Sequence, residues 1–125
     1  MSTNGTIRFI DKRGRELLCI YTHYDSYYRG VGKVIYDFFS DKKNFGNGFE
    51  DTVLLFVCYI KEGKPYSIYA TDKDDVQEYN YTIQETDEGL RFSVTREDKI
   101  INGIMRYKYS LILGTINQFK RLIEK

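Results

Sequence analysis

The second half of the chain alternates apolar and polar residues with a period of two, and this pattern constrains the fold more than any other feature. Apolar side chains recur at every second position in four segments, which cover residues 66–70, 79–84, 90–95 and 105–113. In an extended strand such spacing puts the apolar side chains on one face. A turn at Asp87, Glu88 and Gly89 separates the second segment from the third. The pattern predicts an antiparallel meander with one buried face.

The first half of the chain predicts a hairpin followed by helices. Two apolar runs over 6–10 and 17–21 flank a charged loop in which Gly14 supplies a positive φ, so we expect an N-terminal hairpin. A short amphipathic helix is expected over 32–40, because apolar residues fall there at helical spacing. A capping-box pattern over 115–118 predicts a further helix near the end of the sequence.

The segment 50–62 is the ambiguous one, because its apolar run over 53–60 fits a buried strand or a buried helix equally well. Its length, the polar Asp51 and Thr52 at its start and Gly63 at its end favour a helix. We expect this helix to be central and nearly all buried. A charge introduced by Leu55→Asp should then cost several kcal/mol.

These segments combine into one predicted architecture. The order is β-β-α-α-β-β-β-β-α, which makes the fold α+β, with an antiparallel sheet of about six strands and helices on one face. The 125 residues are expected to form a single domain over 1–125.

The charge balance limits the classes of partner. Lys and Arg number 19 against 18 Asp and Glu, which leaves a net charge of +1. Nucleic-acid and membrane partners need a basic excess on one face, so we expect neither. Apolar residues make up 42% of the chain, which argues against disorder.

Cys19 and Cys58 each lie inside an apolar run. Two such thiols are typical of buried, reduced cysteines in a cytoplasmic protein. Neither has a second Cys or a His at metal-ligand spacing, so we expect no metal site and no cofactor. The polar residues 1–5 lack the apolar region of a signal peptide, and the apolar run over 53–60 is too short to span a bilayer.

The densest polar and aromatic stretch covers residues 21–33 and contains the one histidine of the chain. His23 and Asp25 are two apart on an extended segment, so both side chains are expected to face the same way. Two glycines then lead into a helix, whose open N–H groups would hold an anion together with nearby cations. The candidate ligand-binding residues are His23, Asp25, Tyr27, Arg29, Gly30, Gly32 and Lys33.

Three other interpretations of the same stretch stay open. In the structural one, His23 and Asp25 hydrogen-bond the loop backbone while Tyr24 and Tyr27 pack. A metal site would need further ligands from scattered acidic residues. A catalytic triad would need Ser26 or another hydroxyl placed by His23 and Asp25. The stretch matches neither a Walker motif nor a Rossmann fingerprint.

The chain resembles a widespread family of small phage, plasmid and viral proteins. That family opens with a Ser/Gly-Thr-Arg-x-x-Ile-x-Phe strand, to which residues 2–9 are similar, and then carries Tyr-x-His/Gln-x-Asp-Gly-Tyr-Pro-x-Gly-x-Gly before a helix. Residues 47–49, 81–83 and 114–119 are similar to three later stretches of the same family. Ser26, Tyr28 and Asn4 depart from the family pattern. The residues that match the second motif are Tyr21, His23, Asp25, Tyr27, Gly30 and Gly32.

The resemblance implies a viral or mobile-element origin and supports a helix over 50–62. Together with this origin, the glycine loop, the lack of a catalytic set and the small size of the chain lead us to expect a non-enzymatic accessory protein, encoded by a virus or phage and acting in the host cytoplasm. It would bind a small anionic, nucleotide-like ligand or a host defence protein. The alternative is a structural or assembly component of a virion, and a third hypothesis is a metal-dependent hydrolase that uses His23 and Asp25.

The last predicted strand also suggests an assembly. One layer of short helices is not expected to cover six strands, so an aromatic surface on the strand over 104–113 should remain exposed. We expect a homodimer that uses this surface, because symmetric dimers are the commonest assemblies.

Overall fold

The structure is a computed structural model that describes residues 3–23, 25–62, 67–72, 74–101 and 104–124, without the side chains of 98–101 and 104–110. A π-helical turn over Tyr28–Gly32 precedes the first helix, and a 3-10 turn over Lys42–Asn44 follows it. The strands are β1 (Gly5–Ile10), β2 (Glu16–His23), β3 (Ser67–Ala70), β4 (Tyr79–Thr86), β5 (Gly89–Ile101) and β6 (Ile104–Gly114), and the helices are α1 (Lys33–Phe39), α2 (Phe49–Lys61) and α3 (Ile116–Ile123).

The α+β fold with a six-strand sheet is confirmed, but the sheet is mixed. Its strand order is β3-β2-β1-β4-β5-β6. All neighbours are antiparallel except β1 and β4, which run parallel. The predicted four-strand meander is therefore wrong in one part, because β3 lies at the far edge beside β2. Apolar alternation sets the face that a strand buries, and it carries no information about which strand becomes its neighbour.

The predicted hairpin of β1 and β2 is confirmed, and Asp11 closes its turn. The buried Asp11 carboxylate accepts the N–H groups of Arg13 and Arg15, both at 2.9 Å, and Arg15 Nε at 2.8 Å. Burial raises the pKa of this carboxyl, but the hydrogen bonds from Arg15 and Arg13 outweigh burial and hold the pKa below its ordinary value. Gly14 has a φ of 82°, as the turn requires.

One face of the sheet and all three helices share a single apolar core. Its centre is Phe56 of α2, which is fully buried. The Phe56 ring lies 5.6 Å from Phe9 of β1, and 5.3 and 5.4 Å from Phe38 and Phe39 of α1, measured between ring centroids. Farther along the sheet, the ring of Phe92 of β5 stacks on the ring of Phe119 of α3, with 5.3 Å between the ring centroids.

The opposite face of the sheet buries polar side chains on β1 and β4, where the chain before β4 covers part of it. Thr6 Oγ1 donates to Asn80 Oδ1 at 2.7 Å, and both side chains are buried. Arg8 donates to the carbonyl of Asp75 and also pairs with Glu16 at 3.5 Å. These contacts place the segment around Asp75 against the face that carries no helix.

Helix α2 is confirmed, but the expectation that it is nearly all buried is wrong. Phe49, Val53, Phe56 and Ile60 are buried, whereas Leu54 is 64% exposed and Leu55 is 40% exposed. The helix belongs to an outer layer, so only the face turned to the sheet and to α1 is covered. A continuous apolar run does not reveal this, since both faces of the helix carry apolar residues.

The two cysteines differ in exposure, which corrects the expectation that both are buried. Cys19 of β2 is buried and Cys58 of α2 is exposed, and both thiols are free. Burial raises the pKa of the Cys19 thiol, so less of it is thiolate at neutral pH.

Substitutions on the two faces of α2 should differ sharply in cost. Phe56→Ala removes the ring at the centre of the core and should lower the free energy of unfolding by about 3–5 kcal/mol. Leu54→Ala, on the exposed face of the same helix, should change it by less than about 0.5 kcal/mol. Urea unfolding followed by circular dichroism measures both. Equal costs would contradict the assigned faces.

Thiol labelling should separate the two cysteines. At low micromolar protein, Ellman's reagent should modify Cys58 of the native protein quickly, because its side chain is exposed and the reagent needs an accessible thiolate. Cys19 should react only after unfolding. A Cys58→Ser variant that still reacts quickly in the native state would contradict the burial of Cys19.

Candidate functional site

Ser26 fixes the loop that links β2 to α1. The residue is fully buried, and its Oγ lies 2.7 Å from Thr22 Oγ1. Its N–H donates to Thr3 Oγ1 at 2.9 Å, and the Tyr81 hydroxyl donates to its carbonyl at 2.8 Å. Ser26 therefore anchors the loop to β2 and β4. A hydroxyl buried in this way has a structural role, and the triad interpretation gains no support.

His23 lies on the face of the sheet that carries no helix. Ile20 and Thr22 of β2 face the core, so by strand alternation Tyr21 and His23 face the other way. His23 Nδ1 lies 3.1 Å from the Tyr21 hydroxyl. The Tyr21 ring in turn stacks on Tyr69 of β3 with a centroid distance of 4.9 Å. The histidine is thus part of an aromatic stripe across two strands.

Asp25 departs from the extended geometry that the sequence argument assumes. Strand β2 ends at His23, and Asp25 adopts a left-handed conformation with a φ of 49°. Its side chain is exposed, while its carbonyl accepts the N–H of Val31 at 2.9 Å. The expected pairing of His23 and Asp25 on one side of a strand has no basis in this backbone.

The N–H groups of the glycine segment serve the loop itself. Gly30 and Gly32 both donate to the carbonyl of Tyr27, at 3.0 and 3.4 Å, and Val31 donates to Asp25. The prediction that these groups are open to an anion is wrong, because backbone carbonyls already occupy them. Tyr27 precedes the π-helical turn, and its side chain is 40% exposed.

Both glycines lie where little room is left for a side chain. A Cβ at Gly30 would lie 1.9 Å from the carbonyl oxygen of Asp25, far inside van der Waals contact. A Cβ at Gly32 would lie 3.0 Å from Ile123 and 3.2 Å from the Tyr81 hydroxyl. Gly30 thus permits the tight turn, and Gly32 permits α1 to approach α3 and the sheet.

The turn and the two helices form a cleft that collects basic side chains. Its volume is about 420 Å³, and it opens between the π-helical turn, α1 and α3. Three cations line it, one from each of these elements. The lining residues are Arg29, Lys33, Tyr36, Lys120, Ile123 and Glu124. We call this site the cationic cleft.

The contacts within the cationic cleft are weak and exposed. Lys120 Nζ lies 5.9 Å from the centre of the Tyr36 ring and 3.9 Å from Glu124 Oε1. Lys33 pairs with Asp37 at 3.1 Å, and Arg29 Nη2 donates to the carbonyl of Glu124 at 3.4 Å. Exposed pairs of this kind contribute about 0–1 kcal/mol, so an external anion can compete with them.

The structure brings together only two of the seven predicted site residues. Arg29 and Lys33 line the cationic cleft, whereas Gly30 and Gly32 shape the backbone behind it and His23 lies on the other face of the sheet. Sequence reasoning missed Lys120 because it comes from a helix about ninety residues away. The amphipathic pattern of that helix marks its buried face, and it does not show which helix lies beside it.

Gly30→Ala tests the close approach in the loop. The added methyl group collides with the Asp25 carbonyl, so the free energy of unfolding should fall by about 3 kcal/mol. Gly14→Ala is a matched control, because Gly14 has a positive φ but nothing within 4 Å of the place that a methyl group would take, and it should cost about 1 kcal/mol. Chemical unfolding measures both. A smaller cost at Gly30 than at Gly14 would contradict this packing.

Among the residues that the structure describes, no group of three or more His, Cys, Asp or Glu side chains is placed to hold a metal ion. Within the same ranges, no helix has the length and apolar character needed to cross a membrane. No family model, no curated protein and no solved structure matches this chain.

Proposed function

We propose that this protein binds a small anionic, nucleotide-like ligand in the cationic cleft. The observation that carries the proposal is the convergence of Arg29, Lys33 and Lys120 on one cleft, in which Lys120 lies over the ring of Tyr36. The net charge of the whole chain is only +1, so a general basic excess does not account for three cations in one cleft.

Electrostatics favours an anionic group of the size of a phosphate. The guanidinium of Arg29 offers paired donors that match phosphate oxygens, and lysines add point charges. Their present partners are exposed, with the Lys120 side chain at 49% and Glu124 at 61%. A phosphate can therefore replace the carboxylate without the cost of exposing a buried charge.

The remaining lining suits a planar ring. Tyr36 is partly buried against the core, and Ile123 supplies an apolar surface beside it. Small-molecule sites typically occupy about 300–1,000 Å³ and combine apolar walls with a few polar groups. The cleft of about 420 Å³ falls in this range. A ligand that joins a phosphate to a base would use both parts of the lining.

The likeness of the 21–33 stretch to phage, plasmid and viral proteins supports an origin in a virus or mobile element, and we propose that the protein acts as a non-enzymatic accessory protein in the host cell. In such a role the protein would capture a nucleotide signal. This part of the proposal depends on the resemblance, whereas the ligand class depends on the cleft.

A binding screen tests the ligand class. We expect at least one member of a panel of nucleoside mono- and triphosphates, cyclic mononucleotides and cyclic dinucleotides to raise the melting temperature. Inorganic phosphate should produce a smaller shift, because it lacks the ring that Tyr36 would contact. A ligand at about 100 times its dissociation constant stabilises the folded state by about 2.7 kcal/mol, which such a screen detects. A flat result across the panel would overturn the proposal.

Substitutions locate the binding in the cleft. Lys120→Gln and Arg29→Gln should each weaken binding of the best nucleotide by about tenfold or more, since a charge-assisted hydrogen bond contributes about 1.5–3 kcal/mol. Arg121→Gln is the matched control, because Arg121 is exposed on α3 and lies outside the cleft lining. Titration calorimetry gives the affinities. Equal losses in all three variants would place the ligand elsewhere.

A further inference from the structure

Helix α2 carries an exposed apolar seam on the face turned away from the core. Leu54 is 64% exposed, Leu55 is 40% exposed and Cys58 is exposed. Asp51, Leu54, Cys58 and Lys61 are all exposed and are separated by three, four and three residues. This spacing aligns them in one row along the helix, as at the contact positions of two packed helices. We call this row the α2 seam.

The negative and the positive residue of the α2 seam lie at opposite ends of the helix. Asp51 lies in the first turn and Lys61 in the last turn, with Leu54 and Cys58 between them. If two copies of the helix lie antiparallel, Asp51 of each faces Lys61 of the other, and Leu54 of each faces Cys58 of the other. In a parallel arrangement Asp51 would face Asp51, and Lys61 would face Lys61.

We infer that the α2 seam is the contact surface between two copies of this chain, which pack α2 against α2 in antiparallel orientation about a two-fold axis. Within the row, Leu54 and Cys58 meet at the centre and Asp51 meets Lys61 at both ends, while the like charges of Glu50 and Glu62, exposed beside the row, face each other and weaken the contact. The antiparallel helix dipoles add to this preference. Isologous contacts of this kind are the commonest way in which identical chains associate.

The homodimer expected from the sequence then has its contact surface on α2 and not on the last strand. The sequence argument placed it on the strand over 104–113, of which the side chains of 104–110 lie outside the described residues. At the described end of β6, Ile112 is 76% exposed and Leu113 is 47% exposed. Their immediate neighbours in the chain, Leu111 and Gly114, carry no charge that could fix the orientation of a second copy, so α2 is the better-supported surface.

The expected dimer is a weak one. Stable interfaces bury about 1,200–2,000 Å² in total, and one helix face supplies less than that. Association in the micromolar range is therefore expected. Gel filtration with light scattering should give a mass that rises with concentration from 14.8 kDa toward twice that value. A mass that stays at the monomer value up to about 500 μM would overturn the inference, since no specific dimer is then present.

Two matched substitutions locate the contact. Leu54→Lys puts a charge at the centre of the α2 seam and should raise the dissociation constant by about tenfold or more. Ile112→Lys makes the same change at the exposed edge of β6 and should leave the constant within about twofold. Both positions are exposed, so both variants should fold. Loss of the dimer with Ile112→Lys but not with Leu54→Lys would overturn the inference in favour of the β6 edge.

A charge exchange tests the antiparallel register. Lys61→Asp alone should weaken the dimer because it faces Asp51 of the second copy with a like charge. The double variant Asp51→Lys/Lys61→Asp should restore the association. Asp51 also accepts the N–H of Asn47 at 2.8 Å, so circular dichroism must first show that the double variant is folded. If that variant does not fold, the rate of Cys58 labelling in the unmodified protein decides, because burial in the dimer should slow it as the concentration rises. A labelling rate independent of concentration would contradict the proposed contact.

Discussion

The buried backbone around Ser26 is the constraint on which the arrangement of the cationic cleft depends. The Tyr81 hydroxyl and Thr3 hold Ser26 against the sheet, and the Asp25 carbonyl receives the N–H of Val31 one turn later. This fixes where the π-helical turn starts and hence where Arg29 projects. Gly32 then lets α1 approach Ile123 of α3 closely. Without these contacts the three cations would not come together in one cleft.

The sequence predicted those elements of the fold whose signal is local. The capping box at Thr115 and Gln118 is present as expected, with both hydrogen bonds formed, and period-two alternation located the buried faces of β4 and β5. The parallel pairing of β1 with β4 was not predictable in this way. It depends on the path through α1, α2 and β3, and the free energy that selects this path comes from core packing between segments distant in sequence.

The candidate site, like the strand order, could be predicted only in part from the sequence. Polar and aromatic density drew attention to residues 21–33, and most of that density serves the loop: Ser26 is buried, Gly30 permits the tight turn and Gly32 lies in close packing. Arg29 and Lys33 become part of a three-cation cluster only because α3 brings Lys120 beside them. A charge cluster built from a turn and two helices has no signature in any one of these elements, because each cation is also an ordinary surface residue.

Helix α1 lies between the cationic cleft and the core that supports α2, and its residues divide between the two. Lys33 and Tyr36 face the cleft, whereas Phe38 and Phe39 pack on Phe56 of α2. The α2 seam lies on the far side of α2 from these rings, since Phe56 is buried and Leu54 is exposed. Association through that seam therefore leaves the cleft open. Any influence of one site on the other would have to pass through the packed phenylalanine rings, which form a dense and poorly deformable contact. The two surfaces are thus expected to act independently in each copy of the chain.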